Sequence, residues 1–326
     1  MRIALINSGL GLLAPAAALH RMRPDADLVL APDPDGMPWG PRTPDDIADR
    51  ALRCARAALR YEPDILVMAC NTGSVHALDA MRAEFEPDVP VIGTVPAIKP
   101  AAAAYQKVAI WATVATTASA YQRRLIAEFA GSAHVTPVAC AGLADAVDAG
   151  DLAATAAAVA AAAARTPAGC EAVVLGCTEY ELVAGQIAAS VSGAVTFASA
   201  AAVAAQALRR IPAADGVTGS RIAGNGAGEP RPGTTRDTAG HLQPGTTPDT
   251  AGHLQPGTTP DTAGQLPAGP AGEPAGGRLG TVRVLLSGRP SGLPPQALRY
   301  PEGRLLAPLV VVGDDREPAA RPVVGR

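Results

Sequence analysis

Apolar residues in this chain gather in short runs, and each run gives way to a polar turn and then to a segment with helical spacing. Met1–Ile6, Asp27–Leu30, Ile65–Met68, Val89–Ile92, Val108–Trp111, Val135–Cys140, Ala172–Gly176, Ala194–Phe197 and Leu279–Ser287 read as strands. Several are apolar at nearly every position, the pattern of a parallel strand covered on both faces. Leu12–Met22, Pro44–Tyr61, Val75–Phe85, Ala101–Tyr105, Ser119–Phe129, Asp148–Arg165 and Ser199–Arg210 read as the intervening helices. At Thr43 a hydroxyl cap, Pro44 in the first turn, and Asp45 and Asp46 behind it all mark a helix start. Leu305–Val312 reads as a last strand. Strands alternating with helices predict an α/β fold.

From Pro232 the pattern stops. A 12-residue unit follows three times, as PGTTRDTAGHLQ, PGTTPDTAGHLQ and PGTTPDTAGQL, with one large apolar residue per copy. Such a unit cannot bury enough surface to offset its ordering, so residues 213–277 are expected to be a disordered linker and residues 314–326 a frayed tail.

Two turns carry the chemistry. The strand Ile65–Met68 ends in Ala69-Cys70-Asn71-Thr72, and the strand Ala172–Gly176 in Cys177-Thr178-Glu179. Each cysteine stands at the carboxyl end of a strand and the start of a helix, the edge where open α/β sheets bind ligands. Helix starts lower thiol pKa values. A single such cysteine is most simply a buried strand-end residue. Two with matching flanks suggest a proton pair, one thiol removing a hydrogen from carbon and the other returning one to the opposite face. That chemistry needs neither metal nor cofactor. Asn7-Ser8-Gly9-Leu10-Gly11 and Thr113–Thr117 are polar turns on the same edge, and the latter's hydroxyls suit either a carboxylate or helix capping. Gly9 and Gly11 lack the third glycine and the acidic partner of a dinucleotide site. Trp39, between Pro38 and Gly40, reads equally as a pocket wall or a loop anchor. His76 is a surface residue or a neighbour that biases Cys70, whereas Cys54, Cys140 and Cys170 read as structural.

Composition narrows this further. At 326 residues the chain can form two α/β domains. A net charge of −3 and a pI near 6.0 give no electrostatic footprint for nucleic acid or an anionic membrane. No apolar run is long enough to span a bilayer, and Asn7-Ser8-Gly9 interrupts what would be a secretory core. Five cysteines with no disulfide-like spacing, no CxxC and no His/Cys cluster suit a reducing cytoplasm and no metal.

The motifs ACNT at Ala69–Thr72, GCT at Gly176–Thr178 and VIGTVPAIKP at Val91–Pro100 resemble the cofactor-independent aspartate/glutamate racemase superfamily, the glutamate racemase branch above all. Asn7-Ser8-Gly9, Pro38-Trp39-Gly40 and the spacing of Thr113, Thr116, Ser119 and Tyr121 extend the likeness over about residues 1–210, and it resumes at Val282–Gly288. The resemblance implies two similar open α/β domains facing each other across the active site. One would hold residues 1–95, 198–212 and 278–313, and the other residues 96–197. It implies Cys70 and Cys177 as acid/base thiols. Asn7, Ser8, Trp39, Gly40, Asn71, Thr72, Thr116, Thr178 and Glu179 would surround the substrate. It also implies an amino-acid substrate, no cofactor, a homodimer as one option, and a role in supplying D-glutamate for peptidoglycan. Two positions depart from the pattern: Asn7 stands where the family has aspartate, and Glu179, as in the aspartate racemase branch, where glutamate racemases have histidine. The alternatives are an aspartate racemase, a related cysteine racemase or decarboxylase, and a ligand-binding homologue without turnover.

Overall fold

The apolar runs become the strands of two sheets. The computed structural model describes residues 1–211 and 278–312; the repeat, the remainder of residues 213–277 and the tail from residue 314 lie outside the described residues. In the first sheet β1 (Arg2–Asn7) is central, flanked by β2 (Asp27–Pro32) and β3 (Ile65–Met68). β4 (Val91–Gly93) lies beyond β3, and β9 (Val282–Leu286) and β10 (Arg289–Ser291) lie beyond β2. All pairings there are parallel except the β9–β10 hairpin. The second sheet is wholly parallel, in the order β6 (His134–Ala139), β5 (Lys107–Ala112), β7 (Ala172–Leu175), β8 (Val195–Phe197). β1, β3, β5 and β7 are buried at almost every position, which explains their unbroken apolar sequences.

The described residues all fall within one compact unit. A single hydrophobic core runs through both sheets, joining Leu5 and Leu30 to Trp111, Leu175 and Val203. Smaller cores back each sheet separately, with Ile47, Met68, Trp39 and Cys70 in one and Ile110, Leu125 and Phe197 in the other.

The helix starts follow the sequence signals. Thr43 Oγ1 accepts from the Asp46 amide to open Pro44–Leu59, and Ser119 Oγ accepts from the Gln122 amide to open Ala120–Phe129. Three expectations are corrected. The helix expected over Asp148–Arg165 is two, Leu143–Ala149 and Leu152–Ala163, because Gly150 turns left-handed at φ +66° and Asp151 caps anew on Ala153 and Ala154. The helix expected to Phe85 breaks at Ala77 into Asn71–His76 and Leu78–Phe85. The strand expected at Leu305–Val312 is instead the end of a helix, Pro301–Leu306, a 3-10 turn, and one parallel bridge from Val310 to Val282. Pro301 presets the helical first turn, and Leu306 is fully buried by it.

Candidate active site

The carboxyl ends of β1, β3 and β7 deliver three turns to one place, and Asn7 ties them together. Its Nδ2 donates to the Ala69 carbonyl at 2.6 Å, one residue before Cys70, and to Thr178 Oγ1 at 3.1 Å, one residue after Cys177. Its Oδ1 accepts from Ser8 Oγ and from the Gly9 amide, each at 3.2 Å. The Asn7 side chain is therefore fully engaged with protein. A side chain on Gly11 would overlap Thr178 Oγ1 and lie 2.7 Å from Glu179 Oε1 and 2.8 Å from Asn7 Nδ2, so only glycine lets the turns close this tightly.

The two thiols have different company. Cys70 caps Asn71–His76, and its Sγ accepts from the Gly73 amide at 3.4 Å. The Ser8 backbone and hydroxyl act in the same direction on this thiol, favouring its ionised form. Cys177 donates to Glu179 Oε2 at 2.8 Å, and Thr178 Oγ1 bonds the same oxygen at 3.4 Å. Burial and then the charge of Glu179 push the Cys70 thiol up to about 12. Burial, again followed by Glu179, pushes Cys177 well above the ordinary thiol range, and the charge of Cys70 adds to it. The lowering expected from the helix starts is thus reversed. These helices have six and four residues, and desolvation outweighs their dipoles. The Glu179 carboxylate beside Cys177 thus opposes ionisation of that thiol. Both sulfurs feel one carboxylate and Cys177 feels Cys70, so a single electrostatic site contains the pair.

Kinship with known proteins is decided by one match: the family model described as Asp/Glu/Hydantoin racemase fits residues 11–208. The chain belongs to the Asp/Glu/hydantoin racemase family. Curated relatives agree. A glutamate racemase of Pseudomonas putida (strain F1) is 33% identical over 227 residues, 68% of this chain and 85% of the relative. One of Herpetosiphon aurantiacus is 35% identical over 220 residues, 65% of this chain and 85% of the relative. Among solved structures, Escherichia coli glutamate racemase, in complex with L-glutamate and an activator, UDP-MurNAc-ala, is similar with a TM-score of 0.61 and 28% identity. That match covers 68% of this chain and 87% of that one. The glutamate racemase of Aquifex pyrophilus gives 0.52 and 30%, covering 65% and 84%.

Within this racemase-family site the remaining expected residues divide. Asn71 is 3% exposed, and neither its Nδ2 nor its Oδ1 has a partner, unusual for a buried amide. Glu179 Oε1 is likewise buried and unpartnered. Thr72 follows Asn71 in the Cys70 helix. After β5, Thr113 caps Val114–Ala118, bonding the Thr116 amide at 3.2 Å and Thr116 Oγ1 at 3.0 Å. Gly40 faces this turn, its Cβ position 3.9 Å from the Ala115 methyl. Trp39 has the packing of the loop anchor, one of its two sequence readings. The residue is 1% exposed and packs beneath the Cys70 helix. His76 is exposed in the last turn of that helix.

Sequence reasoning missed Asp148. Its carboxylate accepts from the Leu10 amide at 2.7 Å and occupies the space a side chain at Gly9 would fill. Burial, then the charge of Glu179, raises its pKa well above the carboxylate range, and no cation among the described residues offsets either effect. The available signal was Gly150, which ends the helix and places Asp148 in its last turn. Among the described residues no group of three or more His, Cys, Asp or Glu is arranged to hold a metal.

Proposed function

We propose that this chain is an amino-acid racemase that works through two thiols, with glutamate as the first substrate and aspartate as the second. The observation that carries the reading is the joining of the Cys70 and Cys177 turns through Asn7, with Glu179 acting on both sulfurs. In one direction the Cys70 thiolate takes the Cα proton while the Cys177 thiol gives its own to the opposite face. The pair finishes with protonation exchanged, and the reverse direction swaps the roles. Asp148 and Glu179 are buried carboxyl groups, and among the described residues no cation offsets Asp148, which suits a ligand that brings an ammonium. That ammonium would stabilise the thiolate as it enters. The unpartnered Asn71 amide, with Ser8, Thr72, Thr116, Thr178 and the Gly40 backbone, supplies donors for carboxylates.

Residues 1–95, 198–212 and 278–313 would form the Cys70 half and residues 96–197 the Cys177 half, a division the two-sheet order supports. Five free cysteines favour a cytoplasmic setting. Aspartate is retained as a second reading because Glu179 sits directly on Cys177. L-Glu, D-Glu, L-Asp and D-Asp, each incubated in D2O, should distinguish these. Deuterium at Cα with inversion, fastest for glutamate, is the expected result. Binding without exchange would mark a non-catalytic homologue.

A further inference from the structure

The turn joining β9 to β10 is made by Ser287 at φ +46° and Gly288 at φ +82°. A two-residue hairpin with positive φ at both central positions favours Asn-Gly or Gly-Gly. Serine in that conformation is strained, and such strain persists where something else demands the side chain. Here the hydroxyl donates to Asp33 Oδ1 at 2.9 Å and accepts from the Asp35 amide at 3.1 Å, while the Ser287 amide donates to the Pro32 carbonyl at 2.9 Å.

Asp33 is 4% exposed and is the hub of the loop after β2. Its other oxygen accepts from Trp39 Nε1 at 3.1 Å and from Arg50 at 3.2 Å. Its amide donates to the Asn7 carbonyl at 3.0 Å, at the start of the turn described above. Trp39 in turn lies beside Gly73, where an added Cβ would meet Met68 Sδ and then the Trp39 ring at 3.0 Å. The Gly73 amide is the one that donates to Cys70 Sγ. Hydrogen bonds and close packing therefore link Ser287 through Asp33, Trp39 and Gly73 to the thiol.

We propose that Ser287 is a positioning residue for Cys70, acting through Asp33 and Trp39. The kinetic part of its test rests on the racemase reading; the exchange part does not. Ser287→Gly removes the hydroxyl and also relieves the backbone strain, so the melting temperature should hold or rise. Even so, kcat should fall about ten-fold with KM nearly unchanged, because a reacting group, not a substrate contact, is displaced. Amide hydrogen exchange should quicken both in residues 33–43 and in residues 71–76. Ser287→Asn, which tolerates the turn and restores a polar side chain, should recover much of kcat. Wild-type kcat in Ser287→Gly, or faster exchange in 33–43 without a change in 71–76, would overturn the proposal. If the parent chain turns over neither amino acid, the racemase reading fails by itself and the exchange result still decides this one.

Discussion

Asp148→Asn offers the sharpest test of the site's electrostatics. The wild-type carboxyl is 7% exposed, accepts one amide hydrogen bond and faces the like charge of Glu179. Its folded-state pKa is raised, so the folded chain holds this proton more tightly than the unfolded chain. The resulting penalty on folding is absent below the unfolded value near 4, grows as pH rises toward the folded value, and then stays constant. A ten-fold difference in proton affinity between the two states corresponds to about 1.4 kcal/mol. Asparagine keeps the oxygen that serves the Leu10 amide and removes the charge. For each ten-fold that the folded state gains in proton affinity, the variant should therefore be more stable than the parent at pH 7 by about 1.4 kcal/mol, with a higher Tm. The advantage should shrink toward zero near pH 4. Urea unfolding followed by the fluorescence of the buried Trp39 and Trp111 measures it. Turnover should drop even as stability rises, the pattern of a residue kept for function. A variant less stable than the parent at pH 7 would show that the carboxylate is not under strain and that the electrostatic picture is wrong.

Three further outcomes follow from the same contacts. Glu179→Gln removes the charge that raises both thiols, so alkylation of the partly exposed Cys177 by iodoacetamide should become faster at a given pH, with its profile displaced to lower pH; an unmoved profile would mean burial alone sets the thiol. Asn7→Asp places a carboxylate oxygen against the Ala69 carbonyl, where an amide now donates at 2.6 Å; it should cost about 1–3 kcal/mol in chemical denaturation, and an equally stable variant would contradict the bridge. Gly11→Ala should force Thr178 and Glu179 apart, lowering kcat and costing about 1–3 kcal/mol, whereas a silent substitution would show that the turns have room to spare.

The parts of this molecule that were legible in the sequence are those set by neighbours along the chain. Ile65–Met68 and Ala172–Leu175 are unbroken apolar runs ending in polar turns, and such runs leave few options but a covered parallel strand. Thr43 and Ser119 show their capping chemistry within three residues. The thiol turns were visible for the same reason. Their electrostatics were not, because burial and the carboxylate of Glu179 act only once the fold has closed. Asp148 was hidden by the alanine-rich stretch that seemed to continue through Gly150. The Asp33–Ser287 contact joins positions 254 residues apart, and no local pattern could announce it.

The place of β9 in the first sheet affects how the protein is made. It lies against β2, yet about 250 residues of sequence separate the two strands. At roughly 5–20 residues per second, the roughly 110 residues from Cys177 to Ser287 take about 5–20 s to translate. For that interval the nascent chain carries both cysteine turns while the outer edge of β2 has no neighbour, a state open to pairing with another chain. Yield in the cell should therefore depend on how quickly β9 arrives.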